Sequence, residues 1–227
     1  MDFEECFRHI EKQNPTIHKR SVNRHYKRSR TWTCPVFSCQ QDGQFCGSLT
    51  LVQNRMNSKS PDCIVLNGIS LTLRYKASNH DIVRVREIVE STGFFHPPEV
   101  DVAIELVEEG LRRGDASGYY FAFAELCGQP IAYVCFGPIA CTSSSFDVYW
   151  IAVHRDQQKF GIGRWLMTLT EDLIRLQGGR RIYVETSGRP DYLPTRKFYD
   201  RCGYARVAEL PEFYGDEDSK VIYLKVL

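Results

Sequence analysis

Asp147-Val148-Tyr149-Trp150-Ile151-Ala152-Val153, followed four residues later by Gln158-Lys159-Phe160-Gly161-Ile162-Gly163, is the stretch on which the fold turns. Apart from Asp147, the first seven residues are apolar, β-branched or aromatic, the composition of a buried strand. Beyond Gly163, residues Trp165, Leu166, Leu169, Leu173, Ile174 and Leu176 recur at helical spacing. A strand feeding a glycine-punctuated turn that opens a helix is a device for holding a diphosphate. The glycines let the backbone approach the ligand, and the first free N–H groups and the positive end of the helix dipole meet the anion. Dinucleotide folds space three glycines as G-x-G-x-x-G, and nucleoside-triphosphatase loops end in Gly-Lys-Ser/Thr. Here Gln-x-x-Gly-x-Gly runs into Arg164, so neither fits. Taken alone, the hexapeptide also reads as a strand-to-helix turn without a ligand.

The downstream residues weigh against that plain turn. Arg181 to Glu185 reads as a second strand, and Pro194 to Cys202 as a short helix with proline near its first turn, leading into Gly203-Tyr204. Gln158 to Gly163 resembles the coenzyme A signature Arg/Gln-x-x-Gly-x-Gly/Ala of the GNAT N-acetyltransferase superfamily. Thr195-Arg196-Lys197-Phe198-Tyr199-Asp200-Arg201-Cys202-Gly203-Tyr204 resembles its second motif, Asn-x-x-Ala-x-x-Phe/Leu-Tyr-x-x-x-Gly-Phe/Tyr. Both stand in the family's order and separation, and the resemblance covers roughly Ser70 to Leu227.

Working outward, Leu71 to Tyr75 alternates as a strand, and Asn79 or Asp81 can cap a helix through Val89 that stops near Gly93. Pro98 to Arg113 is a second helix with a stripe of Val102, Ile104, Leu106, Val107 and Leu111. Tyr119–Leu126 and Ile131–Phe136 are strands joined by the Cys127-Gly128-Gln129-Pro130 turn, and Tyr204–Leu210 and Val221–Val226 close the chain. The order β-α-α-β-β-β-α-β-α-β-β is that of the family: an α+β, three-layer fold with a mixed, mostly antiparallel sheet flanked by helices. Residues 1–69 lack sustained periodicity and are expected to be an irregular extension to a domain over 70–227. That extension carries ten Lys/Arg against six Asp/Glu. Its Cys34, Cys39, Cys46 and Cys63 lack the paired C-x-x-C knuckles of zinc ribbons, so no metal is expected.

The formal net charge of +1 advertises neither a nucleic-acid nor a membrane partner. No apolar run is long enough to span a bilayer, and no secretory leader is visible. Nine cysteines, with Cys135, Cys141 and Cys202 in expected strands or a helix, read as buried thiols in a reducing, cytoplasmic setting.

The resemblance implies acetyl-CoA as acetyl donor. The backbone from Gln158 through Lys159, Phe160, Gly161, Ile162, Gly163 and Arg164 would hold the diphosphate, with Lys159 and Arg164 either adding charge or standing in solvent. In the family the two strands at Asp147–Val153 and Arg181–Glu185 splay apart, and the pantetheine arm pairs with backbone in the gap, here at Ile151, Ala152 and Val153. Thr195 and Phe198 belong to the second motif. Tyr192 stands where that motif commonly has Asn, so its hydroxyl and ring face are the candidates for that contact. Tyr199 matches the tyrosine that serves as general acid in many members. A phenol with a pKa of ~10 is protonated at neutral pH and can donate to a thiolate; a structural tyrosine is the other reading. Asp147 aligns with a glutamate used as base in the histone-acetylating branch. Glu185 is its rival, and ordered water the third option. Acceptor specificity in this fold comes from the connection around Thr92–Glu99 and the loop around Phe213–Asp218, both mixing aromatics with acids.

The function expected is transfer of the acetyl group of acetyl-CoA directly to a primary amine of a small molecule or amino acid. Acetylation of a protein N-terminus or lysine is the alternative of the same chemistry. A catalytically silent coenzyme A-binding regulatory domain is the alternative of another class. Expected partners are the small amine acceptor and, as an open option, a second copy of the chain; neither membrane nor nucleic acid is expected.

Overall fold

A computed structural model describes residues 62–67 and 69–227. In order these form β1 (Asp62–Leu66), β2 (Ile69–Arg74), α1 (Asn79–Thr92), α2 (Pro97–Arg113), β3 (Tyr120–Leu126), β4 (Gln129–Pro138), β5 (Ser145–Val153), α3 (Ile162–Leu176), β6 (Arg181–Ser187), α4 (Leu193–Arg201), β7 (Ala205–Gly215) and β8 (Asp218–Val226). The strands make one sheet in the order β1-β2-β3-β4-β5-β6-β8-β7. Every pairing is antiparallel except β5 with β6. Helices cover both faces, giving the expected mixed, three-layer α+β architecture.

Strand alternation sorts the core into two layers. On one face Leu71, Leu73, Val134, Phe136, Val148, Ile182 and Val184 meet Ile162, Leu166, Met167, Leu173 and Ile174 of α3 and Tyr199 of α4. On the other, Phe121, Phe123, Tyr133, Cys135 and Ala152 meet Val85, Ile88 and Val89 of α1 and Val100, Ala103, Ile104 and Val107 of α2. Each such aliphatic side chain taken out of water contributes about 1.5–3 kcal/mol. The α2 stripe is shifted from its expected positions: Val102 is only half-buried, and Val100 and Ala103 face the sheet.

Local chemistry explains the boundaries. Ser78 is the N-cap of α1, one residue before the expected cap. Asp81 instead works from the first turn, accepting from the Ser78 backbone N–H at 2.6 Å. Asp81 is fully buried, and both Arg74 Nη atoms donate to its carboxylate at 2.8 and 2.7 Å, pinning α1 to β2. Gly93 ends the helix in the left-handed conformation, φ +72°. On the other side of the sheet, Lys225 of β8 donates to both oxygens of the buried Glu171 of α3 and to the Cys202 carbonyl, each at 2.8 Å.

Two expectations are corrected. Among the described residues the sheet begins at Asp62, inside the segment expected to be irregular, and the expected start at Ser70 falls within β2. Only one side of β1 is used: Ile64 and Leu66 pack on the core while Val65 is 74% exposed. An edge strand of five residues is too short to show periodicity. Cys141 is exposed in the turn after β4 rather than buried in a strand, whereas Cys135 is fully buried. The rest of the extension, including Cys34, Cys39 and Cys46, lies outside the described residues.

Candidate active site

β5 and β6 pair only at Ser145↔Arg181, Phe146↔Ile182 and Asp147↔Tyr183. Beyond Asp147 each strand follows its other neighbour, β5 along β4 and β6 along β8, and a fork opens. Alternate backbone groups of Val148 to Val153 therefore face the gap rather than a partner strand. A bulge opposite Cys135 and Phe136, with Tyr149 as the extra residue, re-aims β5 within that forked part.

The glycine turn lies at the open end. Lys159 and Gly161 adopt left-handed backbone, φ +71° and +83°, and α3 starts at Ile162 without a side-chain cap. The first backbone bond of this helix start is Trp165 N–H to Gly161 O. Among the described residues no acceptor meets the N–H groups of Lys159 to Arg164. Among the described residues a Cβ on Gly161 would meet only the Asn67 amide, at 3.5 Å, so they leave the space over the turn open. Uncapped donors at a helix N-terminus, with open space above a glycine, suit a diphosphate. The residues present therefore fit the diphosphate of acetyl-CoA.

Several expected site residues come together here. A Cβ on Gly163 would lie 3.4 Å from the Phe198 ring and 3.5 Å from Val153, so α4, the helix start and the end of β5 converge. Ile162 is core, Phe160 and Arg164 are exposed, and the backbone of Ile151, Ala152 and Val153 continues the β4 ladder on its inner side. Gln158 does not reach outward: its amide donates to the Val153 carbonyl at 3.2 Å, tying the turn to its strand. Thr195 is half-buried on α4.

Tyr199 lies in the α3/α4 layer, 5% exposed, with its ring beside Phe198, Tyr204 and Tyr223. Burial, with smaller effects from Cys202, Tyr192 and Tyr223, raises its pKa above the usual 10, so the phenol is protonated at neutral pH. Asp147 sits at the crotch of the fork. Its neighbours Phe146 and Val148 face α3, so Asp147 faces the α1/α2 side, as does Glu185 between Val184 and Thr186. Burial pushes the Asp147 carboxyl up to about 7; the Glu185 carboxylate adds to this and the Lys220 ammonium opposes it.

Lys220 is the residue that sequence reasoning missed. Its side chain is 6% exposed, its ammonium lies 2.6 Å from Glu185, and it sits 3.8 Å above the centre of the Phe213 ring. Tyr192 makes contacts that its place in the motif does not indicate. Its hydroxyl donates to the Phe94 carbonyl at 3.4 Å and Arg189 stacks on its ring, which places it with the α1–α2 connection. Arg189 Nη1 donates to His96 Nε2 at 2.9 Å, and Ser187 donates to Asp218. These contacts join the α1–α2 connection, the β6–α4 loop and the β7–β8 hairpin at one end of the fork.

A sheet forked at its single parallel pair, with an uncapped glycine turn at the open end, defines an acyl-coenzyme A-dependent transferase. The chain belongs to the GNAT acetyltransferase family, whose model matches residues 83–204, and it is an acetyl-CoA-dependent N-acetyltransferase. Among solved structures, a Desulfovibrio desulfuricans protein described as a GNAT-family acetyltransferase is 44% identical, with a TM-score of 0.67 over 69% of this chain and 98% of that one. An aminoglycoside 6'-N-acetyltransferase complexed with coenzyme A is 17% identical, TM-score 0.52, covering 67% and 96% of the two chains. A ribosomal-protein-alanine N-acetyltransferase from Brucella melitensis is 18% identical, TM-score 0.56, covering 68% and 99%. The last two share the fold. The curated proteins contain no match. Among the described residues no helix is long and apolar enough to cross a membrane.

Proposed function

We propose that the chain moves the acetyl group of acetyl-CoA directly onto a primary amine of a small molecule or amino acid. The observation that carries this is the fork itself, with Asp147 at its crotch on the α1/α2 face and Tyr199 on the opposite, α3/α4 face of the sheet. Acetyl-CoA supplies the thioester carbonyl and a thiol leaving group. The N–H groups from Lys159 to Arg164 hold its diphosphate, and the unpaired edge of Ile151 to Val153, with Phe198, positions the arm.

On the acceptor side, Asp147 takes the proton of the incoming ammonium. A carboxyl with a pKa of about 7 is divided between its two forms at neutral pH, which suits a base that must both accept and release a proton. Glu185 is less suited to that duty, because the Lys220 ammonium already engages it. Tyr199 holds its proton at neutral pH and donates it to the departing thiolate.

The size of the acceptor is inferred from the loops. His96–Arg189, Tyr192–Phe94 and Ser187–Asp218 latch three connections together, and a latched end suits a compact amine better than an extended peptide. Fold relatives include an enzyme for aminoglycosides and one for a ribosomal-protein alanine, so the fold alone does not choose. Thiol release from acetyl-CoA should be followed across amines, amino acids and peptides. Acceleration by amines or amino acids is expected. Acceleration by peptides alone would replace the small acceptor with a protein one, and no acceleration by any of the three would place the acceptor outside these classes.

A further inference from the structure

The β1–β2 hairpin lies outside the stretch matched by the family model, yet it touches the glycine turn. Leu66 pairs with Ile69 across a two-residue connection that starts with Asn67, whose φ of +48° is left-handed. Asn is among the few side-chain-bearing residues that adopt this conformation readily, and Asn-Gly is the preferred pair for such a turn. Turn chemistry therefore accounts for the residue type but not for its side-chain contact. The Asn67 amide reaches across the sheet end and donates to the Phe160 carbonyl at 2.8 Å. Among the described residues the same nitrogen is the one atom within 4 Å of a Cβ built on Gly161.

This contact fixes the Phe160–Gly161 peptide. In a trans peptide the carbonyl and the following N–H point in opposite directions. Drawing Phe160 O toward Asn67 therefore turns the Gly161 N–H away from the hairpin. That N–H is one of the donors that meet no acceptor among the described residues.

We propose that Asn67 is a positioning residue for coenzyme A: it sets the orientation of the Phe160–Gly161 peptide so that the turn presents its donors to the diphosphate. The inference rests on the reading that the glycine turn holds that diphosphate. Asn67 does not touch the reacting atoms, so it acts on coenzyme affinity and not on turnover.

The test uses the full chain and the variant Asn67→Gly, which keeps the left-handed turn while removing the amide. Acetyl-CoA affinity is measured by calorimetry, and inhibition by coenzyme A is compared with inhibition by pantetheine, which has no diphosphate. Losing the orientation imposed by one hydrogen bond should weaken acetyl-CoA about 3- to 10-fold, with kcat and Tm unchanged and pantetheine unaffected. Gly161→Glu is the control on the site. If Gly161→Glu abolishes binding while Asn67→Gly binds as wild type, the positioning role is overturned and the site reading stands. If Gly161→Glu binds as wild type, both fall. An equal loss toward pantetheine also overturns the proposal, because the effect would then not pass through the diphosphate.

Discussion

In the proposed function the two sides of the fork recognise by different means. At the glycine turn the working groups are backbone: left-handed Lys159 and Gly161, an uncapped helix start, and the free edge of β5. At the proposed acceptor end they are side chains brought from distant segments, with His96 and Phe94 before α2, Arg189 and Tyr192 before α4, and Asp218 and Lys220 on β8. Backbone recognition is specified by a local pattern of glycines and is indifferent to most neighbouring side chains. Side-chain recognition depends on where the whole fold delivers each residue. One side can therefore be shared across a superfamily while the other differs from enzyme to enzyme.

The largest effects should come from breaking the backbone side. At Gly161 a side chain finds open space among the described residues but is strained by the left-handed backbone it must adopt, and a carboxylate there opposes the diphosphate. Gly161→Glu should weaken acetyl-CoA by roughly two to three orders of magnitude in calorimetry while the protein stays folded. Unchanged affinity would remove the turn from the site. Tyr199→Phe probes the point between the sides. The ring, packed against Phe198, Tyr204 and Tyr223, is kept and only the hydroxyl is lost. A general acid contributes ~10²–10⁴-fold, so kcat should fall at least about tenfold with acetyl-CoA affinity preserved. Full turnover with a lowered Tm would make Tyr199 structural.

The same contrast decides what could be read from the chain. Element order and the motif helices follow from periodicity and from two local patterns, the fork was implied by the resemblance those patterns carry, and Val153, Gly163 and Phe198 do converge. β1 escaped because five residues with one buried side give too little pattern. Lys220 escaped for a longer-range reason. In sequence it is one charged residue in a terminal strand. Its burial depends on β7, whose pairing with β8 is interrupted between Leu210 and Gly215, so that the rings of Phe213 and Tyr214 lie over its ammonium. The Tyr192 contact was not legible for a similar reason: its partner, Phe94, is nearly a hundred residues away.

On the side-chain half, Asp147→Asn should lower kcat/KM about tenfold near neutral pH. The wild-type profile should fall on the acid side with a midpoint near 7, and the variant should lose that limb. Stability should move the other way. The folded-state pKa of Asp147 is raised from 3.8 to about 7, so the folded protein binds more protons than the unfolded chain between those values. Stability therefore declines as pH rises through that window, and the cost is complete above it. Asp147→Asn should raise Tm at pH 8 and give no gain near pH 4. A variant that loses activity with no such pH-dependent gain would place Asp147 outside the buried site.

The smallest effect is the sharpest test of how the acceptor side is tuned. Lys220 and Glu185 act on Asp147 with opposite signs: the ammonium favours the carboxylate form and the Glu185 charge disfavours it. Lys220→Met should therefore move the acid limb of kcat/KM to higher pH, and Glu185→Gln should move it to lower pH, each by less than about one unit for charges partly screened by solvent. Glu185 is 44% exposed, so water can solvate it once its partner is gone, and Lys220→Met should remain folded. Acetyl-CoA affinity should not change in either variant, because both residues lie on the acceptor side of the fork. Opposite shifts at constant coenzyme affinity identify the pair as the group that sets the base. Shifts of the same sign, or none, would show that the limb belongs to the acceptor amine or to water, and that Lys220 only fastens the β7–β8 hairpin to the sheet.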